Sequence, residues 1–531
     1  MDVKIDSQSA VQRSMGRAVE CSVWRSVSWS VGHLARPALS LTLVLVLAAC
    51  ATQLAYQAPN VSVPASWQAE QPHSGQREQL ADWWASFDDP VLSRLITLAE
   101  DDSPTLAKAV ARIDGARATS VSSSAAGPAV NGSASVARAG KTQSGVASES
   151  TSRSAGLDAS WELDLFGKLR KSRDAAQARV QARLDDWHDA RVSLAAEVAD
   201  TYVQFVSCRM LAFTYEAQAQ SQQQTGRATL VSVRAGFTAS SEADLAGAGA
   251  ANANATAMAQ RTECELLVKS LVAVTGLDET GLRLMLAAQE PTLNEPVGIK
   301  VLGVPSNLLR QRPDLAASER AVAAAYADIG QAEARRYPSL SLGGTIALSA
   351  SSLAASAASW SFGPSLVLPL FDGGKSKAAV ASAQATYDEA LASHRSTVRG
   401  AVKEVEQALV SLDGAARRSE DAQRAATGYR RYFESTEKNW RAGNINLLTL
   451  EEARRSAISA ESAQITLQRD RLRYWIALYK ALGGGWSADR EIPQPPAASP
   501  APLGQTPTRP ASDTQARLIS PTNAMNESIS Q

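Results

Sequence analysis

Aromatic side chains make up only 5% of this 531-residue chain, and histidine and cysteine occur four times each. So low an aromatic content does not furnish one thick globular core. Ala, Ser, Gln, Glu and Arg instead dominate two long tracts suited to extended helices. The histidines are scattered, and no Cys/His grouping has the spacing of a zinc site. An excess of either charge is missing too. The 53 basic residues balance 53 acidic ones, which argues against nucleic acid as the partner. No nucleophile elbow, Walker loop or dinucleotide fingerprint is present. Gly483-Gly484-Gly485 lacks the following Lys and Ser/Thr of a phosphate loop and reads as a helix terminator. No catalytic residue, cofactor or metal is therefore expected, and the chain does not read as an enzyme.

What is present begins with an export signal. Arg25, His33 and Arg36 precede an apolar run from Ala38 to Ala49, too short for a spanning helix and typical of a signal peptide. Leu47-Ala48-Ala49-Cys50 resembles a bacterial lipoprotein box. That resemblance implies removal of residues 1–49 and acylation of Cys50, and Ala51 in place of Asp implies transport to the outer membrane. Met15 is an alternative start, and an ordinary signal with a chance cysteine is the alternative to lipidation.

The body of the chain is duplicated. Pro104 and Pro313, Phe166 and Phe371, and Gly236 and Gly443 sit in matching motifs in the same order, separated by 209, 205 and 207 residues. Each half must build the same unit. Within each half the hydrophobic period changes from helical to two. Leu157, Ala159, Trp161, Leu163 and Leu165 alternate with Asp158, Ser160, Glu162 and Asp164. Leu340, Leu342, Ile346 and Leu348 alternate with serines and threonine, and weaker alternation runs over 128–138 and 361–371. Runs of roughly ten residues with one apolar face are the mark of membrane-barrel strands. The Ser-, Gly- and Ala-rich stretches 139–156 and 350–359 are expected to be loops between paired strands. Alternation alone also fits a soluble sandwich.

A long helical tract follows each strand pair. Gly167 to Gly236 and Gly374 to Gly443 both span 69 residues, and each ends in Arg-Ala-Gly, a helix-stop signal. Helices of such length need lateral neighbours. Two hairpins give four strands, too few to close a barrel, so a symmetric oligomer is required to remove the edges.

With Leu308-Leu-Arg-Gln-Arg-Pro-Asp-Leu315, Tyr337-Pro338, the strand-to-helix motifs at 160–168 and 365–375, and Leu482-Gly-Gly-Gly-Trp486, the chain resembles the TolC-like outer-membrane factors. It is most similar to their lipoprotein branch of NodT-type efflux proteins, and Trp83-Trp84 with Phe87-Asp-Asp-Pro90 supports this. The resemblance implies an α+β membrane protein: a homotrimer whose protomers each give four strands to one twelve-stranded outer-membrane β-barrel, continued by a long periplasmic α-helical barrel. It implies a passive exit duct for small molecules, loaded by a proton-driven inner-membrane pump through a periplasmic membrane-fusion adaptor. A type I protein-secretion conduit shares the fold, and a non-channel coiled-coil lipoprotein is the rival from another class.

On this reading the chain divides into a signal peptide (1–49), a lipidated extended segment in contact with outer-membrane lipid (50–80), a first repeat (81–290), a second repeat (291–486) and a Pro/Ser-rich tail (487–531) expected to be disordered. The resemblance places an apolar ring at Leu448, an acidic ring at Glu452 and a gating aromatic at Trp440. Leu448 and Glu452, four apart, share a helix face, and three Glu452 carboxylates would make a ring attractive to cations. Seam packing for Leu448 and a solvated surface charge for Glu452 are the alternatives. Thr449 stands where some relatives carry an acid. Arg234, Gly236, Arg441 and Gly443 at the two tips are expected to dock the adaptor, although Ser241-Glu-Ala-Asp-Leu245 is displaced by about two residues at the first tip. Finally, Cys208 lies 28 residues before Gly236 and Cys264 lies 28 after it. A hairpin turning at Gly236 would bring them level, so a disulfide is open to them in an oxidising compartment; two buried thiols on different faces are the alternative.

Overall fold

The computed structural model describes residues 83–485 apart from 126, 144–145, 300, 302–310 and 353, together with 56–61, 63–64, 67–69 and 80. The signal peptide, Cys50, residues 307–310 and the tail lie outside the described residues. After a short 3-10 turn, Trp83–Phe87, come helices α1 (Pro90–Asp101) and α2 (Pro104–Ser124) and strands β1 (Ala129–Gln143) and β2 (Val146–Leu163). Helices α3 (Lys168–Arg234), α4 (Ser240–Thr275) and the short α5 (Glu279–Ala287) complete the first half. The second half repeats the order with α6 (Pro313–Ala334), β3 (Ser339–Ser351), β4 (Ala354–Val367), α7 (Lys375–Arg441) and α8 (Leu447–Ala481).

The strands form one antiparallel sheet in the order β1-β2-β3-β4. The register sorts its side chains cleanly. Pairing of Val130 with Ala159, Leu157 with Ile346, and Ile346 with Trp360 puts Val136, Trp161, Leu348 and Phe362 on one apolar face. The other face carries Asn131, Ser154, Asp158, Thr345 and Ser361, with cross-strand hydroxyl pairs Ser135–Ser154 and Thr345–Ser361 at 2.8 Å. The stretches 139–156 and 350–359, expected as loops, are instead mostly strand. Their small residues offer no hydrophobic alternation to read, but the ladders run until Gln143 faces Val146 and Ser351 faces Ala354, leaving two residues between the strands of each hairpin. Among the described residues no helix is long and apolar enough to cross a membrane.

Helices α3 and α7 are both 67 residues long, about 100 Å at the usual rise. Each starts after a left-handed glycine, Gly167 or Gly374, and each has its first turn capped by an aspartate. The Asp164 carboxylate accepts from the backbone of Leu169 and Arg170 at 3.1 and 2.9 Å, and that of Asp372 from Gly374 and Ser376 at 3.0 and 2.8 Å. Small residues let the α3/α4 seam close tightly, as at Ala219, Ala253 and Ala257. Cys208 and Cys264 meet on that seam in a disulfide, Sγ–Sγ 2.09 Å and Cα–Cα 5.6 Å.

Residues of three sequence motifs, 83–89, 312–314 and the glycines after Leu482, converge on one junction midway along the long helices. Trp83, Trp84 and Phe87 pack together against Tyr479 of α8. Asp89 caps α1 through Val91 and Leu92 and accepts the Tyr202 hydroxyl at 2.7 Å. Burial and that hydrogen bond hold the Tyr202 hydroxyl far above the usual phenol range. Buried Arg312 donates to Asp314, to Glu404 at 2.8 Å and to the Ala481 carbonyl at 2.9 Å, pinning the end of α8. Gly483 there has φ +86°, and a Cβ on it would stand 2.4 Å from the Gln311 carbonyl, so only glycine fits.

Candidate functional site

The far ends of the two long hairpins turn in the same way. At the first, Gly236 N–H donates to Val233 and Phe237 N–H to Ser232, at 2.9 and 3.0 Å; at the second, Gly443 N–H donates to Trp440 and Asn444 N–H to Asn439, both at 2.9 Å. The glycines take φ +79° and +76°, the left-handed conformation such a cap requires. In both hairpins the next helix begins four residues after the glycine. The displaced acidic residues after Gly236 therefore leave the turn itself unchanged. Arg234, Gly236, Arg441 and Gly443 are all exposed. Phe237, which drew no attention as sequence, is 86% exposed at the first tip.

Helix α8 leaves the second tip with Asn446 as its N-cap, and the Asn446 side chain accepts from both the backbone and the hydroxyl of Thr449 at 2.9 Å. Thr449 thus belongs to the cap. Leu448 is 56% exposed, Glu452 is also exposed, and one turn separates them on the same face. Trp440 lies elsewhere. It is half-buried and packs with Phe433 against Ala246, Leu447 and Leu450, a small core joining the two hairpins.

Immediately beyond that core lies a polar knot. Arg454 is 1% exposed. Its guanidinium pairs with Glu451 on its own helix and donates to Thr225 at 2.8 Å and Ser221 at 3.3 Å on α3. It also stands 5.4 Å from the centre of the Phe433 ring on α7. Gln222 of α3 donates to Glu451 at 2.9 Å. Three helices are joined through one side chain. Sequence reasoning missed it, although a signal was there: Arg454 falls on the Leu447, Leu450, Ala457 stripe of α8, where a lone charge must find partners.

The described residues between 56 and 69 lie along α6 and α7. The Tyr56 hydroxyl donates to the Glu319 carbonyl at 3.4 Å, and its ring sits 5.7 Å from that of Tyr326. Tyr326 in turn lies 5.9 Å from Tyr387, centre to centre. Val61 and Val63 pack on Leu315, Val398 and Ala401, and the backbones of Gln68 and Ala69 donate to Glu406 at 2.8 Å. Tyr387 is twelve residues into α7 and Glu406 thirty-one, so the segment runs away from the sheet, from about 18 to about 46 Å beyond the start of that helix.

Residues 95–277 and 304–484 match the family model described as Outer membrane efflux protein. Over 470 residues the chain is 32% identical to the pyoverdine export outer membrane protein OpmQ of Pseudomonas putida, covering 85% of this chain and 97% of that protein. It is 30% identical over 478 residues to the outer membrane protein OprJ of Pseudomonas aeruginosa, with coverage of 85% and 96%. Among solved structures, the outer-membrane channel OprN superposes with a TM-score of 0.73 at 30% identity, over 82% of this chain and all of that one.

Proposed function

Because this chain belongs to the outer membrane efflux protein family, we propose that it acts as the passive exit duct of a tripartite efflux system, assembled as a homotrimer. It is an outer-membrane efflux channel protein with a helical periplasmic part, of a family of ducts rather than enzymes. One observation supports the trimer above all. The sheet has a continuous apolar face, yet its outer strands β1 and β4 have no second neighbour among the described residues. Unpaired strand edges cannot stand in a bilayer. Three copies joined β4 to β1 close twelve strands, with the hydroxyl-lined face inward.

In that assembly the exposed Leu448 and Glu452 face the axis near the narrow end, as an apolar and an acidic ring, and Trp440 supports them from the hairpin core. The tips Arg234–Phe237 and Arg441–Asn444 offer the adaptor guanidinium groups and, at the first tip, a bare aromatic ring. An inner-membrane pump supplies the energy and selects the small-molecule cargo. Lipidation at Cys50 agrees with the path of segment 56–69. Six residue steps lead from Cys50 to Tyr56, at most about 20 Å of chain. That is enough to return from Tyr56 to the end of the sheet, where the inner leaflet of the outer membrane would lie.

Detergent extraction from the outer-membrane fraction should yield a trimer by native mass, with the mass of an acylated Cys50 at its N-terminus. In a planar bilayer it should conduct with preference for cations, and Glu452→Gln should move the reversal potential toward the unselective value. A monomer free in the periplasm would sink the duct reading. A trimer whose selectivity ignores Glu452→Gln would sink only the acidic ring.

A further inference from the structure

We propose that the outward face of the strand sheet holds a phosphorylated lipid of the outer leaflet at Arg153, a site that rests on the reading of this sheet as a barrel wall. The register places Arg153 of β2 on the apolar face, between Val136 of β1 and Ala350 of β3. Below it that face is apolar down to Leu163, the last residue of β2. Ten positions separate Leu163 from Arg153, about 33 Å along the strand. With a strand tilt of about 40° this is about 25 Å along the barrel axis, the height of an outer-membrane apolar band. The charged group therefore stands where hydrocarbon gives way to headgroups. At the other end, the Glu162–Lys168 ion pair and the Asp164 cap mark the opposite boundary, with the Phe166 and Tyr337 rings stacked 5.0 Å apart.

The surface is shaped as well as charged. Ala134, Val136, Arg153, Ala155, Leu348 and Ala350 line a concavity of about 520 Å³. Alanines set a low trough between the bulkier Val136 and Leu348, mainly apolar, with Ser135, Ser154, Ser349 and Ser356 completing its lining. A second arginine on this face, Arg138, is held by Glu149. Arg153, by contrast, meets no charged or hydrogen-bonding partner among the described residues. A planar guanidinium matches a phosphate through two parallel hydrogen bonds, and at the edge of the hydrocarbon such a pair is shielded from competing water. A trough for a chain and a fork for a phosphate together define a lipid carrying an anionic phosphorylated headgroup. All lining residues come from β1, β2 and β3 or the start of β4, so each protomer of the trimer carries a complete site.

The test is native mass spectrometry of the full-length trimer extracted from outer membranes in mild detergent, with the bound lipids identified after release. The wild type should retain up to three phosphorylated lipids beyond its covalent acyl groups. Arg153→Ala should reduce their occupancy at least about tenfold, Arg153→Lys should keep part of it, and Arg138→Ala most of it. Vesicles containing phosphorylated outer-leaflet lipid should restore the peaks to stripped wild-type trimer. A wild-type trimer without bound lipid, or equal retention by Arg153→Ala, overturns the site while the intact trimer leaves the duct reading standing. Protection of the stripped trimer against heat by inorganic phosphate as strong as that by the vesicles would also overturn it, since the lipid would then be irrelevant. Absence of the trimer itself would instead overturn the channel on which the site rests.

Discussion

Arg454 and Thr225 stand 2.8 Å apart, guanidinium to hydroxyl, across the junction between the two long hairpins. The donor is buried and the acceptor sits on a helix that ends nine residues later at the first tip. The pair therefore ties the second hairpin to the first close to the two tips.

Arg454→Ala removes the only described cation in this knot and leaves the Glu451 carboxylate, which is 17% exposed, without its counter-charge. Loss of one partner from a largely buried pair costs on the order of 3 kcal/mol, here concentrated at the hairpin junction. Faster amide exchange in α3 from Ser221 to Arg234 and a larger mean single-channel conductance are expected. Arg454→Lys should recover little of either, because a single ammonium cannot span Glu451, Ser221 and Thr225 together. An unchanged conductance in a well-folded Arg454→Ala trimer would mean that this junction does not control the opening.

A second prediction concerns pH. Burial raises the Asp185 carboxyl from its ordinary value near 3.8 to about 6, opposed by Arg320 and aided by Asp186 and Glu319. A carboxyl whose folded pKa is raised binds its proton more tightly in the native state. Its penalty is absent below pH 4, grows between about 4 and 6, and is complete above. Asp185→Asn should therefore raise the melting temperature at pH 7 more than at pH 4. The difference between variant and wild type should close within that window. A pH-independent difference would show that Asp185 is not the titrating group.

The disulfide supplies a third. Closing a loop of 56 residues between Cys208 and Cys264 contributes about 4 kcal/mol on the chain-entropy account. Alkylation of denatured, unreduced mature protein should label neither cysteine, and reduction should expose two thiols. Cys264→Ser should lower the denaturation midpoint chiefly for α3 and α4. Two thiols titrating before reduction would refute the bond.

Much of this arrangement could be read from the sequence because long-range repetition is robust. Two tracts of equal length between glycines announce two helices of equal length, whatever their detailed packing. For the cysteines only the height was legible: a turn at Gly236 makes Cys208 and Cys264 level but does not fix which faces they occupy, so bonded and unbonded thiols both stayed open. Strand length was not legible. Serine and alanine dominate the outer halves of the hairpins, so hydrophobic alternation fades there while the hydrogen-bond ladder continues. The aspartate caps were hidden as well: Asp164 precedes Phe166 whereas Asp372 follows Phe371, so the two do the same work from opposite sides of the aligned aromatic. At the tips, the resemblance assigned gate positions to Leu448, Glu452 and Trp440, and their surroundings in the fold differ. Leu448 and Glu452 share an exposed face, and Trp440 turns toward Ala246 because the two hairpins need an apolar contact where they meet. Arg454 escaped notice because its partners, Ser221 and Thr225, lie more than two hundred residues away.

The equal lengths of α3 and α7 have a consequence for how such a chain can change. Deleting one residue from either helix would draw its tip back by about 1.5 Å and swing it by about 100°. The other tip would stay in place, and Arg454 would no longer face Thr225. The same deletion would have to be made at matched heights in α3, α4, α7 and α8 to keep Cys208 level with Cys264 and Arg454 facing Thr225. Insertions and deletions in these arms are therefore tolerable only as synchronised changes in all four helices, and a descendant of this chain that is longer in one arm should be found longer in the others.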